Sequence, residues 1–195
     1  MRRMRLLLAY CLIASVALAQ PVAFAEDAAP SQQDLNARAA DALRLVNSAD
    51  PYQRQLGFLR LEALRDPSTV SAIQPYVTSR DPELRASGLR ALAAIQGVEA
   101  IPLLLNALKT DRQPQVRRAA LLGLEPLQQA NPEILPACIQ ALRDRKPEVR
   151  MAAIDIVSRI DDPRAREAIL QRKRREHNRD VRRVLAMGLK RLRTP

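Results

Sequence analysis

The feature that most constrains the fold is a pattern of six positions that recurs along the chain. With Val116 as position zero, apolar or small residues fall at +3, +4, +7, +8 and +11, which is the spacing of one helix face. The pattern returns with intervals of 31, 32, 33 and 32 residues at the position-zero residues Gln53, Leu84, Val116, Val149 and Val181. A period of this length is typical of stacked two-helix units. The sequence therefore predicts an all-α solenoid of about five helical hairpins.

Prolines mark the helix starts within these units. Pro51, Pro82, Pro114 and Pro147 come just before the predicted first helices. The second helices open with an N-cap followed by proline at Asp66-Pro67, Asn131-Pro132 and Asp162-Pro163. Pro102 and Pro136 fall four or five residues into their predicted helices, where a missing donor and a ring clash predict a bend.

The glycines follow the same lattice. Gly57, Gly88, Gly123 and Gly188 occupy slots +4 or +7, so we expect them where neighbouring helices approach closely. Gly97 lies between two predicted helices and is expected to form the turn.

Residues 1–25 resemble a secretory signal. Three arginines, an uncharged run from Leu6 to Ala19 and an Ala23-Phe24-Ala25 site predict cleavage after Ala25 and a periplasmic or secreted bacterial protein. An uncleaved anchor would need about 20 apolar residues, and Gln20 interrupts the run. Residues 26–49 then form a polar leader and a capping helix over Ser31–Val46, and residues 50–195 form the solenoid. No membrane-spanning segment is predicted after the signal.

Cleavage would remove Cys11 and leave Cys138 as the single cysteine, so no intrachain disulfide is expected in the mature chain. Cys138 lies in the apolar series Leu135, Cys138, Ile139, Leu142, which predicts a core thiol.

The period, the run DPELRASGLRAL at 81–92, the run PEVRMAA at 147–153 and AIPLLLNAL at 100–108 resemble HEAT repeats, in particular the short type named after phycobilisome lyases. The resemblance covers residues 50–192 and implies a right-handed α-solenoid of HEAT-like hairpins. It implies little about activity, since such solenoids serve lyases, hydroxylases, DNA glycosylases and scaffolds. It also implies that the second helices line the face where partners bind.

Arginine occupies position +1 of every unit, and an aspartate precedes four of the five units. The arginines are Arg54, Arg85, Arg117, Arg150 and Arg182, and the aspartates are Asp50, Asp81, Asp111 and Asp144. One interpretation is an anion-binding rail along the stack. The other, which we favour, is Asp-Arg bracing between repeats.

The chain has one histidine and few convergent ligands, so the sequence predicts no catalytic residues, no metal site and no cofactor. His177 follows Glu176, but a HEAT-type hydroxylase would repeat such a pair, and we expect His177 to be solvated in a turn. Phosphate-binding loops need clustered glycines, and here all five are assigned to packing or a turn.

The net charge of +11 is concentrated near the chain end. Residues 163–195 carry +9, the signal carries +3, and residues 26–162 carry −1. A basic end of this kind attracts anionic lipid or an acidic protein, although it also suits a solvated cap on a terminal helix. The candidate binding residues are Arg172, Lys173, Arg174, Arg175, Arg179, Arg182 and Arg183. Nucleic acid is disfavoured because no aromatic residue accompanies the charge.

These patterns predict a non-enzymatic, exported scaffold or protein-binding module of the cell envelope with an unidentified protein partner. Two alternatives are a lyase-like HEAT accessory subunit or enzyme, and a binder of anionic membrane or polymer. A cytoplasmic phycobilisome role conflicts with the predicted signal. If the basic end is only a cap, binding is expected instead on the second helices around Asn106, Lys109, Gln140 and Arg143.

Overall fold

The computed structural model describes residues 31–192. The predicted signal peptide and cleavage site at Ala25 lie outside this part, as do residues 193–195. The helices are α1 (Gln32–Val46), α2 (Pro51–Leu64), α3 (Val70–Ile73), α4 (Pro82–Gln96), α5 (Ile101–Thr110), α6 (Pro114–Leu124), α7 (Ile134–Ala141), α8 (Pro147–Val157), α9 (Pro163–Arg175) and α10 (Arg179–Arg191). Short 3-10 turns flank α3, precede α5 and follow α6, and no strand occurs among the described residues.

The helices alternate between two layers, as a solenoid requires. The first helices α2, α4, α6, α8 and α10 pack against one another in chain order. The second helices α3, α5, α7 and α9 form the other layer, with α5 contacting α7 and α7 contacting α9. The predicted α-solenoid is confirmed. Within residues 31–192 the fifth unit consists of α10 alone, so four hairpins stand between the single helices α1 and α10.

The core follows the repeat. The position-zero residues Val116, Val149 and Val181 are fully buried, as the pattern predicts. The residue five positions further along is at most 2% exposed in four units, namely Phe58, Leu89, Leu121 and Ile154. In α10 this residue is Ala186, which is exposed. The last first helix therefore presents a different outer surface from the other four.

The helix starts agree with the proline pattern in most places. Pro51, Pro82, Pro114 and Pro147 are the first residues of their helices, where a missing N–H leaves no bond unmade. Asp162 caps α9 by accepting the N–H of Arg164 at 2.7 Å. Asp66 caps a 3-10 turn in place of an α-helix, by accepting the N–H of Ser68 at 2.9 Å. Asn131 accepts the N–H of Glu133 at 2.8 Å in the turn before α7.

The bends expected at Pro102 and Pro136 are not required by the helix bounds of the structure. Helices α5 and α7 begin later than the sequence pattern suggested, so both prolines fall within the first turn. The N–H groups of a first turn have no intrahelical acceptor, and a proline there costs no hydrogen bond. A 3-10 turn, Gly97–Ala100, occupies the residues where the sequence pattern predicts the start of α5.

The glycine predictions are confirmed at the helix contacts. A Cβ placed on Gly123 would lie 2.9 Å from the Cβ of Ala93 on the preceding first helix. A Cβ on Gly188 would lie 2.9 Å from the Cβ of Ser158, just beyond α8, and 3.4 Å from Cγ2 of Ile154. Gly97 has φ +59° with open space around its Cα, so there the backbone conformation selects glycine.

Residues 82–110 are apolar and long enough for a membrane span by length and composition alone. In the structure they form α4, the turn at Gly97 and α5. Leu89, Leu92 and Leu104 in this segment belong to the solenoid core, which is sufficient to explain its apolar composition.

Candidate functional site

Ion pairs between neighbouring units confirm the bracing interpretation. They are made by three of the arginines at position +1, namely Arg85, Arg117 and Arg150. Arg85 donates to both carboxylate oxygens of Asp111, from Nε at 3.0 Å and Nη2 at 3.1 Å. Arg117 binds Asp144 in the same way at 2.7 Å for both contacts. Arg85 and Arg117 each also donate from Nη1 to two carbonyl oxygens of the loop before their own helix, and Arg150 donates to one. Each guanidinium therefore joins its own loop to the loop of the next unit.

The acids of this ladder occupy a different slot from the one expected. Asp50 and Asp81 are helix N-caps, whereas Asp111 and Asp144 lie two residues before the cap. The bracing slot is the third residue before each first helix and comprises Ser48, Ser79, Asp111, Asp144 and Glu176. The side chain in every one of these slots accepts the backbone N–H of the residue two positions on, at 2.8–3.2 Å. Since the first two members are neutral serines, the ion-pair ladder starts at Arg85.

The last member, Glu176, is the most buried carboxylate of the ladder and was not predicted. It accepts Arg150 Nε at 2.8 Å and Nη2 at 2.9 Å, and Arg172 Nε at 2.9 Å and Nη2 at 2.5 Å. The N–H of Asn178 adds a bond at 2.8 Å. Burial alone would raise the pKa of Glu176, but these donors lower it to about 2. Two arginines thus share one carboxylate, and the group keeps one positive charge.

Burial and hydrogen bonding also act in opposite directions on the pKa of Asp144. Burial raises the pKa of Asp144, and the hydrogen bonds from Arg117 and from the N–H of Lys146 outweigh this and lower it. Asp144 and Glu176 are therefore ionised at neutral pH, and each neutralises an arginine.

The seven candidate residues of the basic end do not form one cluster. Arg172 is half-buried against Glu176, with 18% of its side chain exposed. Arg175 is exposed beside it on α9 and lines a groove. Lys173, Arg174, Arg179, Arg182 and Arg183 are exposed, and Arg183 lies 3.8 Å from Asp180. The basic end is therefore a half-buried ion-pair group beside an open surface.

A groove lies between the C-terminal ends of α5 and α7, and we call it the α5–α7 groove. Its volume is about 740 Å³. Leu105, Leu108 and Ala137 contribute apolar wall, and Lys109 and Gln140 are exposed at its rim. These last two residues, with Arg143, belong to the alternative binding surface predicted for the second helices, and Asn106 does not line the groove.

The charges around the α5–α7 groove are mostly positive. The ladder residues Asp111, Arg117 and Asp144 are at its base and are paired. The exposed charged side chains that line it are four cations and one acid, namely Lys109, Arg112, Arg143, Arg145 and Glu133. The groove therefore combines apolar wall with an excess of cations, which suits an organic anion.

A smaller groove of about 190 Å³ lies between α7 and α9, and we call it the α7–α9 groove. It is lined by Ile139, Leu142, Arg143, Ala168, Gln171, Arg172 and Arg175. Arg143 lines both grooves, so the two meet at this side chain.

Two residues singled out for chemistry have the environments predicted for them. Cys138 is fully buried in the core, and burial raises the pKa of its thiol to about 12. His177 is exposed in the loop between α9 and α10. Within residues 31–192, no three His, Cys, Asp or Glu side chains come together as a metal site would require.

Comparison with known proteins identifies repeats of one type along most of the chain. A family model described as HEAT repeats matches residues 37–125 and 101–190. The bilin biosynthesis protein RpcE of Synechococcus sp. (strain WH8020) is 37% identical over 76 residues, which cover 38% of this chain and 28% of that protein. The chain thus matches less than a third of the length of this curated relative.

Two solved structures share the fold. A chain from the complex of CpcE and CpcF of phycocyanin lyase from Nostoc sp. PCC7120 superposes with a TM-score of 0.62 at 23% identity, over 78% of this chain and 98% of that one. The crystal structure of an engineered protein superposes with a TM-score of 0.52 at 16% identity, over 84% of each chain.

These findings correct one functional prediction. The prediction that the chain is not an enzyme is wrong, because the relative at 37% identity is a bilin biosynthesis protein. The lyase-like alternative is favoured over the exported scaffold.

Proposed function

The chain belongs to the HEAT-repeat family, and we propose that it is a lyase-type HEAT subunit that binds a bilin and works together with a protein partner. The observation that carries the proposal is the 37% identity with a bilin biosynthesis protein over 76 residues. The complex of CpcE and CpcF, whose chain has the same fold, supports the role of a protein partner.

The α5–α7 groove supports the bilin as ligand. A bilin is an open-chain, largely apolar tetrapyrrole with two propionate groups, and it needs both apolar wall and cations. Leu105 and Leu108 supply the first, and Lys109 and Arg143 supply the second. A groove of about 740 Å³ is within the range of sites that enclose much of a drug-sized ligand.

The chain's own residues supply binding and orientation in this proposal. The thiolate is the reactive form of cysteine, and with a pKa of about 12 Cys138 is protonated and buried at neutral pH. Cys138 therefore does not carry the chromophore. We assign the acceptor thiol to the protein partner, and the HEAT stack to presenting the bilin to it.

Titration with biliverdin tests the proposal, because the absorbance of a bilin changes when it leaves water for a protein groove. Gln140→Trp places a large side chain at the rim of the α5–α7 groove and should weaken binding at least tenfold. Met187→Trp adds the same bulk at an exposed position of α10 and is the matched control. If the wild type and Gln140→Trp bind biliverdin equally well, the ligand does not lie in the α5–α7 groove. If the wild type does not bind biliverdin, the proposed function is contradicted.

Export is a separate part of the proposal. The mature protein would begin at Glu26 and act outside the cytoplasm. An exported lyase-type subunit would not meet phycobilisomes, which are cytoplasmic, and its partner would be another protein that carries or receives a tetrapyrrole.

A second candidate function, binding to anionic membrane, is favoured by the five exposed cations Lys173, Arg174, Arg179, Arg182 and Arg183 near one end of the stack. Each basic side chain near such a surface contributes about 1 kcal/mol. Replacing Lys173, Arg174, Arg179 and Arg183 with Gln should abolish flotation with phosphatidylserine vesicles. A wild type that does not float at low salt would contradict this function.

A further inference from the structure

Three arginines from two different repeats line the α7–α9 groove. Arg143 comes from the end of the third unit, and Arg172 and Arg175 come from α9 in the fourth. The lining contains no acidic side chain of the described residues. A cluster of like charges costs free energy, so the position of three arginines around one small concave site requires an explanation.

The arrangement of Arg172 supplies one. Nε and Nη2 of Arg172 are held by Glu176, which Arg150 and the N–H of Asn178 fix from the other side. Neither bond uses Nη1 of Arg172, and Arg172 lines the groove with its orientation set by a buried ion pair. The ion-pair group keeps a net charge of +1, and Arg143 and Arg175 raise the charge around the groove to +3.

The groove has apolar wall as well as cations. Ile139, Leu142 and Ala168 line it together with Gln171, and its volume is about 190 Å³. This is room for a carboxylate and a short hydrocarbon arm, and guanidinium groups match a carboxylate through two parallel hydrogen bonds. An inorganic oxoanion would use the donors and leave the apolar wall without a contact.

We propose that the α7–α9 groove is a carboxylate site that binds a propionate arm of the bilin, while the adjoining α5–α7 groove holds the tetrapyrrole body. The identity of the ligand rests on the proposed function, whereas the carboxylate chemistry rests on the groove itself. Arg143, at the junction of the grooves, contacts the arm where it leaves the body. Arg175 binds the outer side of the carboxylate, and Arg172 is its fixed donor.

Biliverdin and its dimethyl ester test this assignment, because the ester keeps the tetrapyrrole and loses both carboxylate charges. Wild type should bind biliverdin at least tenfold more tightly than the ester. Arg143→Gln and Arg175→Gln should each lose most of this preference, and Arg118→Gln, an exposed arginine of α6 outside both grooves, should retain it. Equal affinity for acid and ester, or full preference in Arg175→Gln, would overturn the carboxylate site.

A second measurement separates this inference from the proposed function. Hexanoate and inorganic phosphate are titrated into ¹⁵N-labelled protein while the arginine Nε–H signals are followed. Hexanoate should shift the signals of Arg143, Arg172 and Arg175 at lower concentration than phosphate does. If biliverdin does not bind but hexanoate shifts these signals, the function fails and the carboxylate site stands. If biliverdin binds but hexanoate leaves the signals unchanged, the site fails and the function stands.

Discussion

Removing the charge of Glu176 should uncouple the last unit of the stack. Glu176→Gln keeps the shape of the side chain but replaces one acceptor oxygen by an NH₂ group that faces arginine donors. Arg150 and Arg172 would then lack a counter-charge at a site where the Glu176 side chain is 2% exposed. Breaking a buried ion pair by changing one partner costs about 3–5 kcal/mol.

The pKa of Glu176 gives an independent magnitude. A carboxyl group whose pKa falls from 4.5 in the unfolded chain to about 2 in the folded chain contributes roughly 3 kcal/mol to stability at neutral pH. Because the folded pKa is the lower one, this contribution is complete above pH 4.5 and is lost as the pH falls towards 2. The two routes therefore agree on a loss of about 3 kcal/mol.

Urea unfolding of wild type and Glu176→Gln between pH 7 and pH 2 measures both effects. The variant should be about 3 kcal/mol less stable at pH 7, and the difference should shrink below pH 4.5. Glu99→Gln, which changes an exposed acid in the turn before α5, should match wild type throughout. Units of a solenoid unfold semi-independently, so hydrogen exchange should show the loss first in α10. A variant within about 0.5 kcal/mol of wild type at pH 7, or a constant difference down to pH 2, would refute this reasoning.

Three further predictions concern packing, reactivity and processing. Gly123→Leu should lower stability by about 1–3 kcal/mol or more in thermal melts, because even its Cβ would crowd Ala93, whereas Gly97→Ala should cost about 1 kcal/mol through its positive φ alone; a Gly123→Leu melt equal to wild type would contradict the helix contact. Cys138 should react with iodoacetamide only in denaturant, and rapid labelling of the folded protein, followed by mass spectrometry, would show an accessible thiol. N-terminal sequencing of the expressed protein should begin at Glu26, and a product that retains Met1 would contradict cleavage.

The sequence was informative wherever the information is local to one helix. The anchors Val116, Val149 and Val181 and the glycine slot at Gly123 could be predicted because the side chains on one helix face repeat every three to four residues. The position of Pro102 within its helix was predicted wrongly, because the residues before it suit a 3-10 turn as well as the first turn of an α-helix. Only the hydrogen-bond pattern distinguishes them.

Contacts between units were harder to predict. The sequence did not reveal Glu176 because the bracing position was inferred from aspartates alone. Asp81 and Asp111 belong to different positions of the repeat, but their spacing is close to the repeat period, so both were placed in one series. The meeting of Arg143 with Arg172 and Arg175 depends on how far one hairpin is displaced against the next. That displacement is set by packing of the whole stack, and a single period in the sequence does not contain it.

Ala186 changes the surface that α10 would present to a further repeat. Each interior unit of a solenoid presents a surface on which the next unit packs. Stacking through such a repeated surface can continue as an open filament, because it does not close a ring. Phe58, Leu89, Leu121 and Ile154 provide its apolar centre in the first four units. In α10 the exposed Ala186, flanked by Arg182 and Lys190, removes this centre and repels a second basic end. An engineer who wished to pack a further repeat against α10 would therefore begin by replacing Ala186 with leucine.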